Sequence, residues 1–147
     1  MENIKIDKAI DLATLERCLK IRNNVFTLER GVPTEIEVDS YDCLNHACIH
    51  FLVRYCENDI GAVRCLLTAD GNIQVQRFCI IKEYRELGFG QTVMEYIEAY
   101  YGNQGIKRIE LDAKYEVAEF YEKCGYVKVS DVFIEANIEH VKMMKLL

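Results

Sequence analysis

The alternation of apolar and polar residues changes its period along the chain, and each change predicts a structural element. Residues 3–7 alternate, which predicts a short first strand. After Asp11, which can cap a helix, apolar side chains recur at near-helical spacing to about Glu29, and the Gly-Val-Pro that follows ends this helix. The acidic segment TEIEVDSYD, residues 34–42, has neither period and predicts a loop.

Three strand-like runs follow this loop, with turn residues between them. The runs cover residues 47–55, 62–68 and 73–81. Asp70-Gly71 lies between the last two runs and is a strong signal for a hairpin. After Gly90 the period lengthens to that of a helix, which predicts an amphipathic helix ending at Gly102. The middle of the chain therefore predicts an antiparallel meander followed by a helix.

The last third of the chain continues with short elements. Its pattern predicts a helix over residues 116–123 and strands over residues 108–113, 126–129 and 140–146. The full order is β-α-loop-β-β-β-α-β-α-β-β, which indicates an α/β fold. The central sheet is expected to be mixed, antiparallel in its N-terminal half, with crossover units in its second half and helices on its flanks. From the length, a single domain over residues 1–147 is expected.

Composition and charge narrow the classes of partner. Half of the 147 residues are hydrophobic, which is normal for a globular protein and excludes a disordered chain. The net charge is −6 and the 18 basic residues are scattered, which argues against nucleic acid or an anionic membrane as a partner. The seven cysteines are odd in number and irregular in spacing, so reduced thiols and a cytoplasmic location are expected.

The segment Arg85–Gly90, between a predicted strand and a predicted helix, is the first candidate for chemistry. Glycines there allow a ligand to approach the backbone, and the first amides of a helix lack helical acceptors. Together with the helix dipole, these amides favour a bound phosphate. The competing interpretation is a tight turn whose glycines serve only backbone conformation or packing. The segment lacks the three glycines of a dinucleotide fingerprint and the Lys-Ser/Thr ending of a P-loop.

Four separate motifs give the chain a family resemblance. Arg85, Gly88 and Gly90 match the Arg/Gln-x-x-Gly-x-Gly/Ala loop of the Gcn5-related N-acetyltransferases (GNAT), and FYEKCGY at residues 120–126 is similar to the second signature of that family. RNNVFTLERGVPTEIEVDSYD, which begins at Arg22, resembles the opening of the ElaA/YjcF-like branch, and the C-terminal IEHVKMMKLL resembles the ending of that branch. The resemblance therefore spans nearly the whole chain.

The resemblance implies the GNAT fold, in which the parallel pair of strands in the C-terminal half of the sheet is splayed, and acetyl-CoA as the co-substrate. It implies that the amides of the glycine loop hold the diphosphate and that the edge of the preceding strand binds the pantetheine arm. Lys114 replaces the asparagine or glutamine of relatives, and a lysine there could instead reach a CoA phosphate. The implied cofactor contacts are Phe78, Cys79, Ile80, Arg85, Glu86, Leu87, Gly88, Phe89, Gly90 and Lys114.

Acetyl transfer to an amine needs a base for the amine and an acid for the departing thiolate. Tyr121 matches the general acid of the family, and the competing interpretation is a core tyrosine beside Phe120. Gln76 stands where many relatives carry a glutamate, and an amide cannot take up a proton. The base is left open among Glu35, Glu37, Asp39 and His140.

The acidic loop is also the candidate acceptor site. Its carboxylates are expected to hold a cationic acceptor by charge, although a run of charges is more often a solvated turn. Arg22 matches the first arginine of the branch motif and either ties the loop down or faces the pocket. The residues expected at the acceptor site are Arg22, Glu35, Asp39 and Asp42.

The segment CLNHACIH, residues 43–50, invites a metal hypothesis that the spacing disfavours. His46, Cys48 and His50 share one face of a predicted strand, but a period of two residues places successive ligands about 7 Å apart. Structural zinc sites usually recruit a second pair of ligands from elsewhere, and buried cysteines usually act as small hydrophobes. No metal is therefore expected. Cys124 could carry an acyl group, but a packed residue at a helix end is the favoured interpretation.

The predicted function is acetyl transfer from acetyl-CoA to an amine of a small molecule or protein, by direct attack in a ternary complex. The alternative is a non-catalytic acyl-CoA-binding sensor or interaction module on the same fold, which the missing glutamate at Gln76 keeps open. A third interpretation is a nucleotide-binding domain, which would respond to ATP or NAD rather than CoA. Because symmetric homo-oligomers are common, a homodimer is a further expectation.

Overall fold

The structure is a computed structural model that describes residues 2–45 and 47–147. These residues form four α-helices and a mixed sheet, and a π-helical segment over Asn23–Glu29 directly continues the first helix. The helices are α1 (Leu12–Arg22), α2 (Thr34–Glu37), α3 (Phe89–Gly102) and α4 (Ala118–Lys123). The strands are β1 (Ile4–Lys8), β2 (Cys48–Tyr55), β3 (Asn58–Leu67), β4 (Ile73–Ile80), β5 (Arg108–Lys114), β6 (Val127–Lys128), β7 (Phe133–Glu135) and β8 (Ile138–Leu146).

The strands form one mixed sheet in the order β1-β2-β3-β4-β5-β8-β6, with β7 also paired to β8. Every pairing is antiparallel except that of β4 with β5, which is parallel. The parallel ladder is limited to the pairs Ile73 with Ile109 and Gln74 with Glu110. Beyond these pairs β4 and β5 diverge. The predicted α/β fold, with an antiparallel first half and a splayed parallel pair, is therefore confirmed.

An irregularity in β4 lies close to the point where the two strands part. The pairing of β3 with β4 shifts between Ala62 and Arg64, and Arg77 opposite this shift has a positive φ of 50°. A bulge of this kind reverses the faces on which the following side chains lie. Cys79 thus packs in the cluster under α1, whereas Phe78 packs against the cluster under α3.

Two helices cover opposite faces of the sheet. The apolar stripe of α3, centred on Val93 and Ile97, packs on the larger cluster, which includes residues of both β4 and β5. On the other face, α1 and the π-helical segment pack Cys18, Ile21 and Val25 against β2, β3 and β4. In the part of the chain that the structure describes, no helix has the length and apolar character that crossing a membrane requires.

Three local features differ from the sequence-based prediction. The single predicted helix to Glu29 changes from α- to π-helical geometry after Arg22. The acidic segment predicted as a loop contains the short helix α2. The strand β7 was not predicted; it forms a hairpin with β8 through two residues of positive φ, Ala136 and Asn137, which is the geometry of a two-residue hairpin turn.

Candidate active site

A cleft opens where β4 and β5 diverge. Phe78 on β4 and Lys114 on β5 both lie beyond this short ladder, on either side of the gap. The other edge of β4 is paired with β3 as far as Ile80, but no pairing with β5 is recorded for residues 78–80 within the described chain. The three residues predicted to hold the pantetheine arm therefore have a free strand edge facing the gap.

The glycine loop leads from the end of β4 into α3. Gly88 precedes the helix in the left-handed conformation with φ of 88°, and Glu86 also has a positive φ of 62°. No acceptor among residues 2–45 and 47–147 is recorded for the amides of residues 86–91. Successive free amides at the start of a 14-residue helix form a site suited to an anion.

The side chain of Arg85 connects this loop to β4 and to the π-helical segment. Its Nε donates to the carbonyl oxygen of Ile80 at 2.8 Å, and its two terminal nitrogens donate to the carboxylate of Glu29 at 2.6 and 2.7 Å. The hydrogen bonds from Arg85 lower the pKa of Glu29, so this pair is charged at neutral pH. The side chain predicted to contact the cofactor is thus engaged by the chain itself, and it joins the end of the π-helical segment to the loop.

Gly90 has a packing reason as well as the predicted cofactor role. A Cβ at Gly90 would lie 3.0 and 3.2 Å from ring atoms of Phe120 and 3.7 Å from the ring of Phe78. The Phe78 and Phe120 rings lie near each other, with centroids 6.4 Å apart and planes tilted by 42°. Gly90 therefore allows α4 to approach the start of α3.

We expect Gly90→Ala to lower the free energy of unfolding by about 1–3 kcal/mol, because the added methyl group overpacks against Phe120. Gly102→Ala is the matched control within the same helix, since a Cβ there meets only Leu147 at 3.9 Å. The control is expected to stabilise the protein by about 0.5–1 kcal/mol, because alanine is the better helix residue. Urea unfolding of both variants measures the difference, and equal effects would contradict the packing argument.

Tyr121 is held by aromatic contacts. Its ring packs edge-on against Phe120 and Tyr126, with centroid distances of 5.0 and 5.9 Å. The side chain is half-buried, and its hydroxyl has no recorded hydrogen bond to the described residues, yet it is not among the buried unpaired groups. Burial raises the pKa of Tyr121, so its phenol is protonated at neutral pH. Burial also raises the pKa of the half-buried Cys124 thiol three residues later, which does not favour a nucleophilic thiolate.

The acidic segment folds onto Arg22, which is 1% exposed. The guanidinium contacts the carboxylates of Glu37 at 2.8 Å and Asp42 at 2.5 Å. Glu37 is 3% exposed and also accepts a contact from Arg77 at 2.9 Å. Of the two alternatives for Arg22, the structure shows the one in which it ties the loop down. Glu37, predicted as a possible base, faces two guanidinium groups.

Two further arginines, which sequence reasoning missed, complete this cluster. Arg64 contacts Asp39 at 2.7 Å and Asp42 at 3.0 Å, and it donates to the side-chain oxygen of Gln76 at 2.9 Å. The carboxylates of Glu37, Asp39 and Asp42 thus form ion pairs with arginines of the chain. Glu35, in contrast, is exposed and has no recorded ion pair in the described part of the chain. Arg64 is the one charged residue in the apolar run of residues 60–67, and this was the signal that could have identified it.

This cluster predicts a loss of stability in acid. Burial alone would raise the pKa of Asp42, but hydrogen bonds from Arg22 and the Asp39 amide, with the charges of Arg22 and Arg64, lower it to about 2. An unfolded aspartate titrates near pH 3.9, so this contribution is present above about pH 4 and is lost as the pH falls towards 2. We expect the protonation of Asp42 to lower the free energy of unfolding by about 2 kcal/mol over that interval.

Denaturant unfolding at a series of pH values tests this expectation. Asp42→Asn should show a shallower acid dependence than the natural protein. Asp59→Asn, in the exposed pair with Arg17, is the control and should keep the natural slope. An unchanged slope in Asp42→Asn would refute the assignment.

His140 lies at the cleft end of β8, opposite Lys114 on β5. Its Nδ1 is 2.8 Å from the carbonyl oxygen of Ile138, which can only accept, so Nδ1 donates this hydrogen bond and the neutral ring would have its lone pair on Nε2. Nε2 is 3.8 Å from the carboxylate of Glu135, and the ring stacks on Phe133 with centroids 5.9 Å apart. Glu135 was not predicted as a neighbour because β7 was not predicted.

Of the three ligands considered for zinc, the structure describes Cys48 and His50, both on β2. His50 is buried, and its Nε2 lies 2.9 Å from the carbonyl oxygen of Tyr41. Burial raises the pKa of Cys48 to about 11. His46 lies outside the described residues. Among residues 2–45 and 47–147, no group of three or more metal-ligating side chains is found.

Comparisons with known proteins agree with this geometry. Residues 44–147 match the family model described as an acetyltransferase (GNAT) domain. The Bacillus subtilis protein YjcF, named as an uncharacterised N-acetyltransferase, is 33% identical over 132 residues, which are 89% of this chain and 91% of YjcF. A Lactobacillus plantarum protein, named as a candidate N-acetyltransferase, has a structure with a TM-score of 0.92 at 26% identity, covering 99% of both chains.

More distant structures share the fold. Escherichia coli ElaA has a TM-score of 0.83 at 22% identity, covering 97% of this chain and 99% of ElaA. A Vibrio cholerae spermidine N-acetyltransferase, solved with CoA and spermine, has a TM-score of 0.76 at 19% identity, covering 99% of this chain and 96% of that one. With the family model matched over most of the chain and a full-length relative above 30% identity, this protein belongs to the GNAT acetyltransferase family.

Proposed function

We propose that this protein is an N-acetyltransferase that moves the acetyl group of acetyl-CoA to an amine of a small molecule or a protein. The proposal rests on two unpaired stretches of backbone that lie close together in the chain, at the end of β4 and at the start of α3. The free edge of residues 78–80 leads directly to the free amides of residues 86–91. A strand edge suits the amides of a pantetheine arm, and a helix start suits a diphosphate. The Vibrio cholerae relative was solved with CoA bound, which supports the same ligand here.

In this proposal acetyl-CoA supplies an activated thioester, and the residues of the chain position it and move protons. The amides of the glycine loop hold the diphosphate, and the edge of β4 orients the arm. The acceptor nitrogen attacks the acetyl carbon, the carbon–sulfur bond breaks, and Tyr121 gives its phenolic proton to the departing sulfur. The raised pKa of Tyr121 keeps that proton available at neutral pH.

The proton leaving the amine needs an acceptor. The hydrogen bond from Arg64 lowers the pKa of Asp39, which makes this carboxylate a weak base. The carboxylate of Glu37 is engaged by Arg22 and Arg77. Because Nδ1 of His140 donates to a backbone carbonyl, the nitrogen left to accept a proton is Nε2, and we propose that it takes up the proton through solvent. If the acidic loop holds a cationic acceptor, Glu35 is the carboxylate that would do so, because no ion pair is recorded for it within the described residues.

A second candidate function is an acyl-CoA sensor that binds without turnover. It is favoured by Gln76, whose amide is engaged by Arg64 and Gln74 where a base would otherwise stand. Both functions predict that CoA raises the melting temperature, whereas a nucleotide-binding domain would respond to ATP or NAD.

Thermal shift and thiol release together decide between these functions. We expect stabilisation by CoA and by acetyl-CoA, no comparable shift with ATP or NAD, and amine-dependent thiol release from acetyl-CoA. Binding without release across a broad panel of amines would favour the sensor. An absence of any CoA effect would refute both.

A further inference from the structure

Polar side chains from three parts of the chain meet at the C-terminal end of α4. Lys145 on β8 donates from Nζ to the carboxylate of Glu98 on α3 at 2.9 Å. The other oxygen of this carboxylate accepts a hydrogen bond from the hydroxyl of Tyr126 at 3.0 Å. The ammonium group of Lys145 also donates to the carbonyl oxygen of Cys124 at 2.8 Å. Glu98, Tyr126 and Lys145 are called the α4-end network below.

The α4-end network is largely removed from solvent. Tyr126 is 2% exposed, the side chain of Glu98 is 12% exposed, and Lys145 is half-buried. Burial and the neighbouring carboxylate of Glu98 raise the pKa of Tyr126, so its phenol keeps its proton and donates at neutral pH. Hydrogen bonds in such surroundings are stronger than the same bonds in water, so the network holds its members in place.

The network stabilises the end of a helix that is too short to be stable alone. The helix α4 has six residues, and the last carbonyl groups of a helix have no helical donor. Lys145 supplies a donor to the carbonyl of Cys124, the residue directly after α4. Gly125 then turns the chain with φ of 95°, and a Cβ at this position would lie 3.1 Å from Cε of Lys145. The side chain of Lys145 therefore packs against the turn that ends α4.

Tyr121 is connected to this network through Tyr126. The backbone amide of Tyr126 donates to the carbonyl oxygen of Tyr121 at 3.0 Å, and the two rings pack edge-on with centroids 5.9 Å apart. No hydrogen bond is recorded for the hydroxyl of Tyr121 within the described residues. Its position therefore depends on the packing of its ring against Phe120 and Tyr126 and on the backbone of α4.

We propose that Glu98, Tyr126 and Lys145 are positioning residues that hold the phenol of Tyr121 where the departing sulfur needs its proton. This inference rests on the proposed function, in which Tyr121 is the acid. The three residues take no part in the proton transfer itself and act through the position of α4. A displacement of about 1 Å at a reacting group can lower a rate about 100-fold, so a network that fixes α4 contributes to turnover.

Two single variants test the inference by kinetics. Tyr126→Phe removes only the hydroxyl, and Lys145→Met removes the ammonium group and keeps most of the stem. We expect each to lower kcat for thiol release about tenfold or more and to leave the dissociation constant of CoA unchanged. Lys123→Met is the matched control, because Lys123 forms an exposed pair with Glu119 on the same helix. The control should keep the natural kcat.

Combination with Tyr121→Phe separates positioning from a general structural effect. If the network acts through the phenol, Tyr126→Phe and Lys145→Met should each change kcat less than about twofold in the Tyr121→Phe background. Equal losses in both backgrounds would overturn the inference and leave the role of Tyr121 intact. A natural kcat in both single variants would also overturn it. Full turnover in Tyr121→Phe alone would refute the proposed acid and, with it, the inference.

Fluorine NMR of protein labelled with 3-fluorotyrosine gives a measurement that needs no turnover. The resonance of Tyr121 is the one that the Tyr121→Phe spectrum lacks. We expect Lys145→Met to shift or broaden this resonance and Lys123→Met to leave it unchanged. If Lys145→Met does not fold, the same expectation applies to Tyr126→Phe, which keeps the ring.

The NMR result also separates this inference from the proposed function. An unchanged Tyr121 resonance in the folded network variants would overturn the inference, whether or not the protein is active. A changed resonance in a protein that releases no thiol with any amine would support the positioning of Tyr121 by the network and refute the proposed catalysis.

Discussion

Tyr121→Phe is expected to lower kcat for thiol release by about 100-fold or more, because the variant keeps the ring but loses the proton for the departing sulfur. A general acid typically contributes at least this factor. The ring contacts with Phe120 and Tyr126 need no hydroxyl, so the fold and the affinity for CoA should be unchanged. Single-turnover thiol release and the CoA dissociation constant, measured on the same preparation, separate chemistry from binding.

Tyr115→Phe is the matched control for this prediction. Tyr115 is an exposed tyrosine just before α4, and its ring contacts Lys128 rather than the aromatic group around Tyr121. The control should retain full turnover. Full turnover in Tyr121→Phe would remove the phenol from the mechanism, and loss of CoA binding in that variant would show that the hydroxyl contributes to structure or affinity.

Arg22→Met is expected to lower the free energy of unfolding by about 3–5 kcal/mol. The substitution leaves the carboxylates of Glu37 and Asp42 buried with one cation fewer, and removing one partner of a buried ion pair has this order of effect. Because α2 and the rest of the acidic segment are held by Arg22, the loop should also become more open to proteolysis. Denaturant unfolding and limited proteolysis measure the two effects.

Arg17→Met, on the same helix, is the control. Arg17 pairs with Asp59 at 2.6 Å, but Arg17 is exposed and Asp59 is half-buried, so solvent screens the pair and the loss should stay below about 1 kcal/mol. A similar small loss in Arg22→Met would mean that the buried cluster does not stabilise the fold.

Most of the element order and the position of the glycine loop before a helix were predictable because both depend on local patterns. The Asp70-Gly71 turn, the apolar stripe after Gly90 and the alternation in β5 each specify an element within one short window. The free loop amides follow from the same local information, since a left-handed residue such as Gly88 directly before a helix leaves the first donors without acceptors.

The electrostatics of the candidate site depended on residues far apart in the sequence. The acidic segment reads as a set of free negative charges because its partners Arg64 and Arg77 lie on distant strands, and strand pairing decides which side chains reach it. The same limit hides the neighbour of His140, since β7 is three residues long and depends on β8 for its pairing.

The short parallel seam between β4 and β5 has a consequence for how ligands affect the whole molecule. Two backbone pairs join the halves of the sheet, and α3 packs over both. A ligand with amide groups that lies in the gap can form hydrogen bonds to the unpaired strand edges. It would thereby link the two halves of the sheet where backbone pairing is missing. Ligand binding is then expected to slow amide hydrogen exchange along both β4 and β5, and not only at the residues that contact the ligand.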